Sequence, residues 1–174
     1  LNQTIRDVTI NIDQYKLQNG VKYIFDLIDV LSKWYIRRSR DRFVNGDLEA
    51  LNTLQFVLIE ISKLLAPFAP FISESAYLTL NTSGKESVHL EEYPILNEEL
   101  LDEKLNINME IVRNICSIGL NIRDENRLKV RQTLSKAYVP ISDLEMLDII
   151  KGELNVKEVV FSKNNSVTLL VDLE

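Results

Sequence analysis

Residue types that carry enzymatic or metal chemistry are scarce in this sequence. Its 174 residues include one cysteine, Cys116, and one histidine, His89, so neither an internal disulfide nor a zinc site of these ligands is possible. The five glycines are scattered, which excludes a glycine-rich phosphate loop. No spacing of Ser, Cys or carboxylate side chains around His89 indicates a nucleophile with its base. We therefore assign no catalytic residue and no metal ligand, and we expect Cys116 to be a small buried hydrophobe.

Membrane-spanning segments and an overall basic charge are also lacking. No run of about 18 apolar residues occurs, and residues 1–13 lack the charged start and apolar stretch of a signal peptide. The formal net charge is -6, which excludes a generally basic nucleic-acid-binding surface and leaves room only for a local basic patch. We expect a soluble cytoplasmic protein whose partners include neither a membrane nor DNA.

Helical periodicity is the main feature that the chain does contain. Apolar residues make up 45% of it, which is enough for a buried core, and they recur at steps of three and four. These steps predict helices over residues 5–15, 17–35, 51–65 and 107–122. The best-marked apolar stripe consists of Val21, Ile24, Ile28, Leu31 and Tyr35, whereas the last helix is marked by Ile107, Ile111, Ile115, Ile118 and Ile122.

Helix ends are marked by glycine, proline and capping residues. Gly20 is a weak point that could be a joint between the first two helices or a flaw in a helix interior. Gly46 indicates the end of the second helix, and Asp47 is suited to cap the next one. Pro67 and Pro70 predict a bend, because neither has a backbone donor for the helical ladder.

The character of the chain changes after Arg127. Residues 137–141 are predicted to be extended, and Ser142 with Glu145 forms a capping-box pattern that begins a short helix. Residues 156–161 and 166–172 are predicted to form a hairpin joined by residues 163–165. The predicted fold is mainly α: an antiparallel helix bundle over residues 1–127, followed by a small α/β unit over residues 128–174.

Four arginines occur within six residues directly after an aromatic pair. Arg38 and Arg42 occupy the next positions on the stripe of Leu31 and Tyr35, so the pattern predicts that the core ends at Tyr35. The cluster comprises Trp34, Tyr35, Arg37, Arg38, Arg40 and Arg42. Guanidinium groups bind phosphate and stack on bases, and aromatic rings stack on splayed loop bases, so RNA-loop contact is chemically reasonable. The alternative is that the rings belong to the core and the arginines form ion pairs.

A second basic stretch lies near the predicted junction with the α/β unit. It contains Arg123, Arg127, Lys129, Arg131 and Lys136, and the alternative to RNA binding is a solvated junction. Between the two basic stretches, acidic residues dominate from Glu91 to Glu110, and this run is expected to repel RNA.

Five segments carry a resemblance to a known family. They are residues 31–40 (LSKWYIRRSR), 64–71 (LLAPFAPF), 87–90 (SVHL), 129–132 (KVRQ) and 153–157 (ELNVK). In order and spacing they resemble the anticodon-binding region of isoleucyl-tRNA synthetases, within the class I group for isoleucine, valine and leucine, especially its archaeal and eukaryotic-like branch. The arginines after the Trp-Tyr pair resemble the isoleucine branch more than the valine branch. Thr133 departs from the proline that this family often has after Arg-Gln.

The resemblance implies a helix bundle that packs beside a catalytic domain of the same polypeptide and recognises the anticodon stem-loop of isoleucine tRNA. The positions implied in tRNA binding are Trp34, Arg37, Arg38, Arg40 and Arg42, with Lys129 and Arg131 as weaker candidates. The parent enzyme is implied to use ATP and magnesium. Its His-Ile-Gly-His and Lys-Met-Ser-Lys-Ser signatures are absent here, so this fragment should be inactive alone and bind no cofactor. The alternatives are a docking domain that does not read RNA, or the equivalent region of valyl-tRNA synthetase.

Overall fold

The computed structural model describes residues 1–164 and 166–170, and the chain divides into two compact units, Leu1–Leu101 and Asp102–Glu174. The first unit is helical, and the second combines two helices with a three-stranded sheet. This confirms the predicted mainly α fold followed by a small α/β unit. The units divide after Leu101, whereas the sequence predicts a division after Arg127. No helix in the described part of the chain is both long and apolar enough to cross a membrane.

The first unit contains five α-helices among its described residues. They are α1 (Asn2–Asp13), α2 (Leu17–Val30), α3 (Arg40–Val44), α4 (Leu48–Leu65) and α5 (Pro70–Leu80), with a π-helical segment at Leu31–Ile36 and 3-10 turns at Val88–Leu90 and Glu98–Leu100. Helix α1 packs against α2, and α4 packs against α5. One core cluster, contributed by α1, α2, the π-helical segment and α4, consists of Ile5, Val8, Ile24, Leu31, Ile61 and Leu64, all nearly or fully buried. All of them except Leu64 lie on the apolar stripes of the predicted helices.

The break between α1 and α2 falls at Tyr15, and Gly20 is not a joint. Tyr15 has a left-handed backbone, with φ of 58°, and is exposed. Gly20 lies within α2, is buried, and a Cβ there would be 3.7 Å from Phe68 Cζ. The helix continues through Gly20 because tertiary packing outweighs the low helix propensity of one glycine.

The predicted cap at Asp47 and the bend at Pro67 and Pro70 are confirmed, whereas Gly46 follows α3 and not α2, which ends at Val30. Gly46 has φ of 73°, and Asp47 Oδ1 accepts a hydrogen bond from Ala50 N at 3.1 Å as the N-cap of α4. Pro70 begins α5, where its missing N–H removes no helical hydrogen bond.

The second unit comprises α6 (Glu103–Glu125), β1 (Leu134–Val139), α7 (Leu144–Leu154), β2 (Val156–Phe161) and β3 (Thr168–Leu170). Strand β1 is central, parallel to β2 and antiparallel to β3, so the predicted hairpin between the last two strands is wrong. Helix α7 returns the chain to the start of the sheet, which makes β1 and β2 parallel. Asn165 and residues 171–172 of that predicted hairpin lie outside the described residues.

Two local predictions in the second unit are also corrected. Helix α7 is capped by Asp143, whose side chain accepts from Glu145 N at 3.1 Å, and not by Ser142. The buried face of α6 consists of Val112, Ile115, Cys116, Gly119 and Arg123, whereas Ile107, Ile111 and Ile118 of the predicted stripe are exposed. The predicted burial of Cys116 is confirmed. Helix α6 contacts α7, and the small Gly119 allows this approach because a Cβ there would lie 2.6 Å from Leu154 Cδ2.

Candidate nucleic-acid interface

The aromatic–arginine cluster lies on the π-helical segment and the residues that follow it. Trp34 is half-buried within the π-helical segment Leu31–Ile36. Arg37, Arg38, Arg40 and Arg42 follow it, and all four side chains are exposed. A π turn closes i→i+5 hydrogen bonds, one residue wider than an α turn, and such turns are frequent at functional sites.

The π-helical segment shifts the buried face by one residue. After Leu31 and Tyr35 the next buried position is Ser39, which is 6% exposed, where regular α-helical steps predict Arg38. Phe43 continues this face, and its ring meets Tyr35 edge-on with 6.1 Å between centroids. Tyr35 is the last residue of this segment that packs against the core cluster, as predicted, but the predicted placement of Arg38 and Arg42 on its stripe is wrong. Packing extends to Phe43 because the extra residue in the π turn rotates the arginines away from the core.

Trp34 and Arg37 form one stacked pair. The guanidinium carbon of Arg37 lies 5.8 Å from the centroid of the Trp34 ring, a cation–π distance. Arg37 Nε also donates to the carbonyl of Lys33 at 2.8 Å, and this hydrogen bond restrains the position of the guanidinium group. A planar cation held beside an indole ring offers charge for a phosphate and a flat face for a base.

The remaining arginines differ in their restraints. Arg42 Nε donates to Asp47 Oδ2 at 2.7 Å, and this contact raises the pKa of Arg42 and lowers that of Asp47. The side chain of Arg40 has neither a hydrogen bond nor an ion pair with any part of the chain that the structure describes. Of the predicted ion pairs, Arg42–Asp47 is therefore present, while Arg40 is available to a ligand. Lys33 is paired with Asp29 at 2.7 Å.

The second basic stretch belongs to the second unit and is heterogeneous. Lys129 and Arg131 are exposed, as is required of a ligand contact. Arg123 is 1% exposed and donates only to main-chain carbonyls, so its assignment to a basic patch is wrong. Lys136 is paired with Glu158 on the neighbouring strand at 2.7 Å. This stretch therefore has three accessible cations, Arg127, Lys129 and Arg131, of which the last two are the predicted tRNA-binding candidates.

Sequence reasoning missed the residues that hold Lys129 and Arg131 in place. Arg123 was recognisable as basic, but its burial depends on which face of α6 packs inward. Asn155 also contacts this loop, with its Nδ2 atom 2.9 Å from the Val130 carbonyl oxygen. Its signals in the sequence were its place in the segment 153–157 and its position after a helix, where asparagine commonly adopts a left-handed backbone.

The described residues provide no candidate metal site beside these basic side chains. Among residues 1–164 and 166–170, no group of three or more His, Cys, Asp and Glu side chains is placed to hold a metal ion. The chemistry available at these positions is cationic and aromatic. It suits binding of an anionic, base-containing polymer.

Comparison with known proteins connects this geometry to a family. The chain is 40% identical to an isoleucine–tRNA ligase of Protochlamydia amoebophila over 94% of its length, and 40% identical to one of Cutibacterium acnes over 89%. It is 38% identical to the isoleucine–tRNA ligase of Deinococcus radiodurans over 95%. The chain spans only 17%, 15% and 16% of the lengths of these three relatives. Residues 1–138 match the family described as the anticodon-binding domain of tRNA ligase, and the chain belongs to that family.

Proposed function

We propose that this chain is the tRNA anticodon-recognition module of an isoleucine–tRNA ligase. The proposal rests on the exposed Arg37–Trp34 stack and Arg40 within a chain that belongs to the anticodon-binding family. Net charge is -6, so these side chains form a local exception on an acidic protein. Local positive charge with an adjacent ring is the combination that binds splayed, single-stranded loops.

Each cluster residue has a distinct proposed role. Arg40 contacts a phosphate, because its guanidinium is exposed and has no ion pair within the described chain. Arg37 with Trp34 supports a loop base by stacking. Arg38 and Arg42 add positive potential, and Arg42 remains tied to Asp47. Lys129 and Arg131 contribute a separate contact from the second unit.

Titration of the chain with transcripts of isoleucine tRNA and an unrelated tRNA, at several salt concentrations, tests this proposal. Replacement of Arg37 and Arg40 by glutamine should weaken binding to isoleucine tRNA about tenfold or more. It should also reduce the slope of log K against log salt by about 1, since Arg40 is the proposed phosphate contact of the pair and each phosphate contact contributes about one unit. The matched control replaces Lys16 and Lys22, two exposed lysines outside the cluster, by glutamine. Equal slopes for both variants would contradict the proposal.

The remaining proposed properties, which are the catalytic activity and its location, belong to a whole ligase. We propose that adenylate formation with ATP and magnesium, and the transfer of isoleucine to tRNA in the cytoplasm, involve a catalytic domain of the same polypeptide and no cofactor bound by these residues. Specificity for isoleucine tRNA is supported by the similarity to isoleucine–tRNA ligases. Competition with valine tRNA tests it: stronger competition by valine tRNA than by isoleucine tRNA would favour a valyl module.

A second candidate function is docking onto another protein domain without RNA contact. It is favoured by exposed apolar side chains in the first unit, including Phe71 at 91% and Val44 at 78% exposure. Charge reversal at Arg37 and Arg40 in the full-length ligase separates the two candidates. Unchanged tRNA affinity with weakened domain association would favour docking, whereas lost affinity with intact aminoacyl-adenylate formation would favour RNA recognition.

A further inference from the structure

The loop of residues 129–133 combines exposed side chains with a tightly held main chain. Lys129, Val130 and Arg131 are exposed. The carbonyl oxygen of Lys129 nevertheless accepts from Gln132 N at 2.9 Å and from Arg123 Nη1 at 3.0 Å. A loop of this kind presents its charges from a fixed backbone, so little conformational entropy is lost when a ligand binds.

Arg123 is the centre of this arrangement, and it is a buried cation whose hydrogen-bond acceptors in the described chain are all main-chain carbonyl oxygens. Its Nε and Nη2 donate to Leu154 O at 3.1 and 2.6 Å, and Nη2 also donates to Asn155 O at 3.0 Å. Burial lowers the pKa of this guanidinium from its ordinary value. Burial of a charge costs free energy even when its donors are satisfied, and a leucine at this position would avoid that cost. The buried guanidinium of Arg123 connects the end of α7 to the main chain of Lys129.

Asn155 provides a second tie to the same loop. Its backbone is left-handed, with φ of 47° and ψ of 62°, at the C-terminus of α7. Its Nδ2 donates to Val130 O at 2.9 Å, and its Oδ1 accepts from Thr133 Oγ1 at 3.2 Å. The side chain therefore spans the loop from one side to the other.

We propose that the 129–133 loop is a pre-organised phosphate-contact element for RNA, in which Lys129 and Arg131 touch phosphates while Arg123 and Asn155 act as positioning residues. This inference rests on the proposed tRNA-binding function and deepens it. Both ties hold main-chain carbonyls of the loop, so the charged side chains are left to the ligand. Lysine and arginine on a rigid backbone match phosphate oxygens at fixed spacing, whereas mobile ones would have to be ordered on binding.

The first experiment removes the two charges and leaves the ties intact. The variant K129Q/R131Q of the full chain is titrated with an isoleucine tRNA transcript between low and moderate salt. We expect binding to weaken about tenfold and the log–log salt slope to fall by about 2. The control K151Q/K163Q removes two exposed lysines from the same unit and should leave the slope unchanged. A slope for K129Q/R131Q equal to that of the control overturns the inference.

The second experiment separates positioning from folding. Glycine accepts the left-handed backbone of Asn155, so N155G keeps the helix end but deletes both side-chain ties. We expect N155G to bind tRNA about threefold to tenfold more weakly, the effect of one or two lost hydrogen bonds, and amide exchange in residues 129–133 to accelerate. R123K, which keeps the charge but not the planar fork, should act in the same direction.

A double-mutant cycle is decisive for the positioning role. If Asn155 acts through Lys129 and Arg131, N155G should have no further effect on binding in the K129Q/R131Q background. An equal loss in both backgrounds shows a merely structural role and overturns the positioning assignment. If R37Q/R40Q weakens tRNA binding while K129Q/R131Q does not, this inference fails and the proposed function stands. Absence of any tRNA binding by the unmodified chain at low salt overturns both.

Discussion

Gly20 and Gly119 both lie in helix interiors, but their surroundings are opposite. A Cβ at Gly20 would make ordinary contacts at 3.7 and 3.8 Å, whereas one at Gly119 would lie 2.6 and 2.8 Å from the methyl carbons of Leu154, which is fully buried. We expect Gly20→Ala to stabilise the protein by about 0.5–1 kcal/mol through reduced backbone entropy of the unfolded chain. Gly119→Ala should destabilise it by about 1–3 kcal/mol through overpacking. Urea unfolding of the two variants measures the sign of each change in the free energy of unfolding. A loss of stability in Gly20→Ala would contradict the prediction for that position.

Tyr93 has a buried hydroxyl with no hydrogen-bond partner in the described chain, beside a cavity of about 420 Å³. Burial raises the pKa of Tyr93 to about 12. We expect Tyr93→Phe to be neutral or stabilising near pH 7, because it removes an unsatisfied polar group while keeping the ring. A loss of more than about 1 kcal/mol in that variant would indicate a missing partner for the hydroxyl.

The pH dependence of the same variant has a definite sign. The folded-state pKa of about 12 lies above the ordinary value of 10.0, so the unfolded chain loses this proton first. The stability contributed by protonated Tyr93 is complete below pH 10 and is lost as the pH rises towards 12. Thermal unfolding between pH 9 and 12 should therefore decline less steeply in Tyr93→Phe than in the unmodified protein, and parallel curves would contradict this account.

At the scale of elements, only one of two neighbouring polar residues caps the start of α7. Asp143 accepts a hydrogen bond from Glu145 N, whereas Ser142 is the residue favoured by the capping-box spacing. Asp143→Ala should cost about 1 kcal/mol of stability, the usual effect of removing an N-cap. Ser142→Ala should change it by less than about 0.5 kcal/mol, as for ordinary surface positions. Equal losses in chemical denaturation would show that the two residues share the cap.

The helices were predictable because burial follows the 3.6-residue period wherever a helix is regular. The predicted stripes of α2 and α4 contain Ile24, Leu31 and Ile61, which are core residues. The π-helical segment was not predictable, since residues 31–36 contain neither proline nor glycine to mark it. It results from tertiary packing that places Ser39 and Phe43 inward, and no local pattern encodes that preference.

Contacts between segments that are distant in the sequence were the other feature that could not be predicted. The parallel pairing of β1 with β2 depends on the crossover by α7, and alternating apolar residues in short strands are equally compatible with a hairpin. The candidate arginines could be selected by residue type, but the structure was needed to separate buried Arg123 from exposed Arg131. Residue chemistry was therefore readable from the sequence, whereas accessibility was not.

At the scale of the whole molecule, acidic residues outnumber basic ones by 26 to 20, which should slow the approach of RNA. Glu98 and Glu99 are exposed within the acidic run. We expect E98Q/E99Q to accelerate tRNA association about twofold to fivefold at low salt, because long-range repulsion is reduced. The dissociation rate should remain unchanged, and the acceleration should disappear at high ionic strength. Stopped-flow measurements at two salt concentrations test this, and salt-independent acceleration would indicate a direct contact instead.

The wider turn at Leu31–Ile36 also has a consequence for sequence divergence. Removal of one residue there would restore regular α-helical geometry and leave the following segment facing the core as before, because the wider turn absorbs one extra residue. Ser39 and Phe43 would therefore stay on the buried face, and the arginines would stay outside. Domains of this family that lack one residue at this point are expected to keep the same inward side chains beyond it, with a regular α-helical turn in place of the wider one.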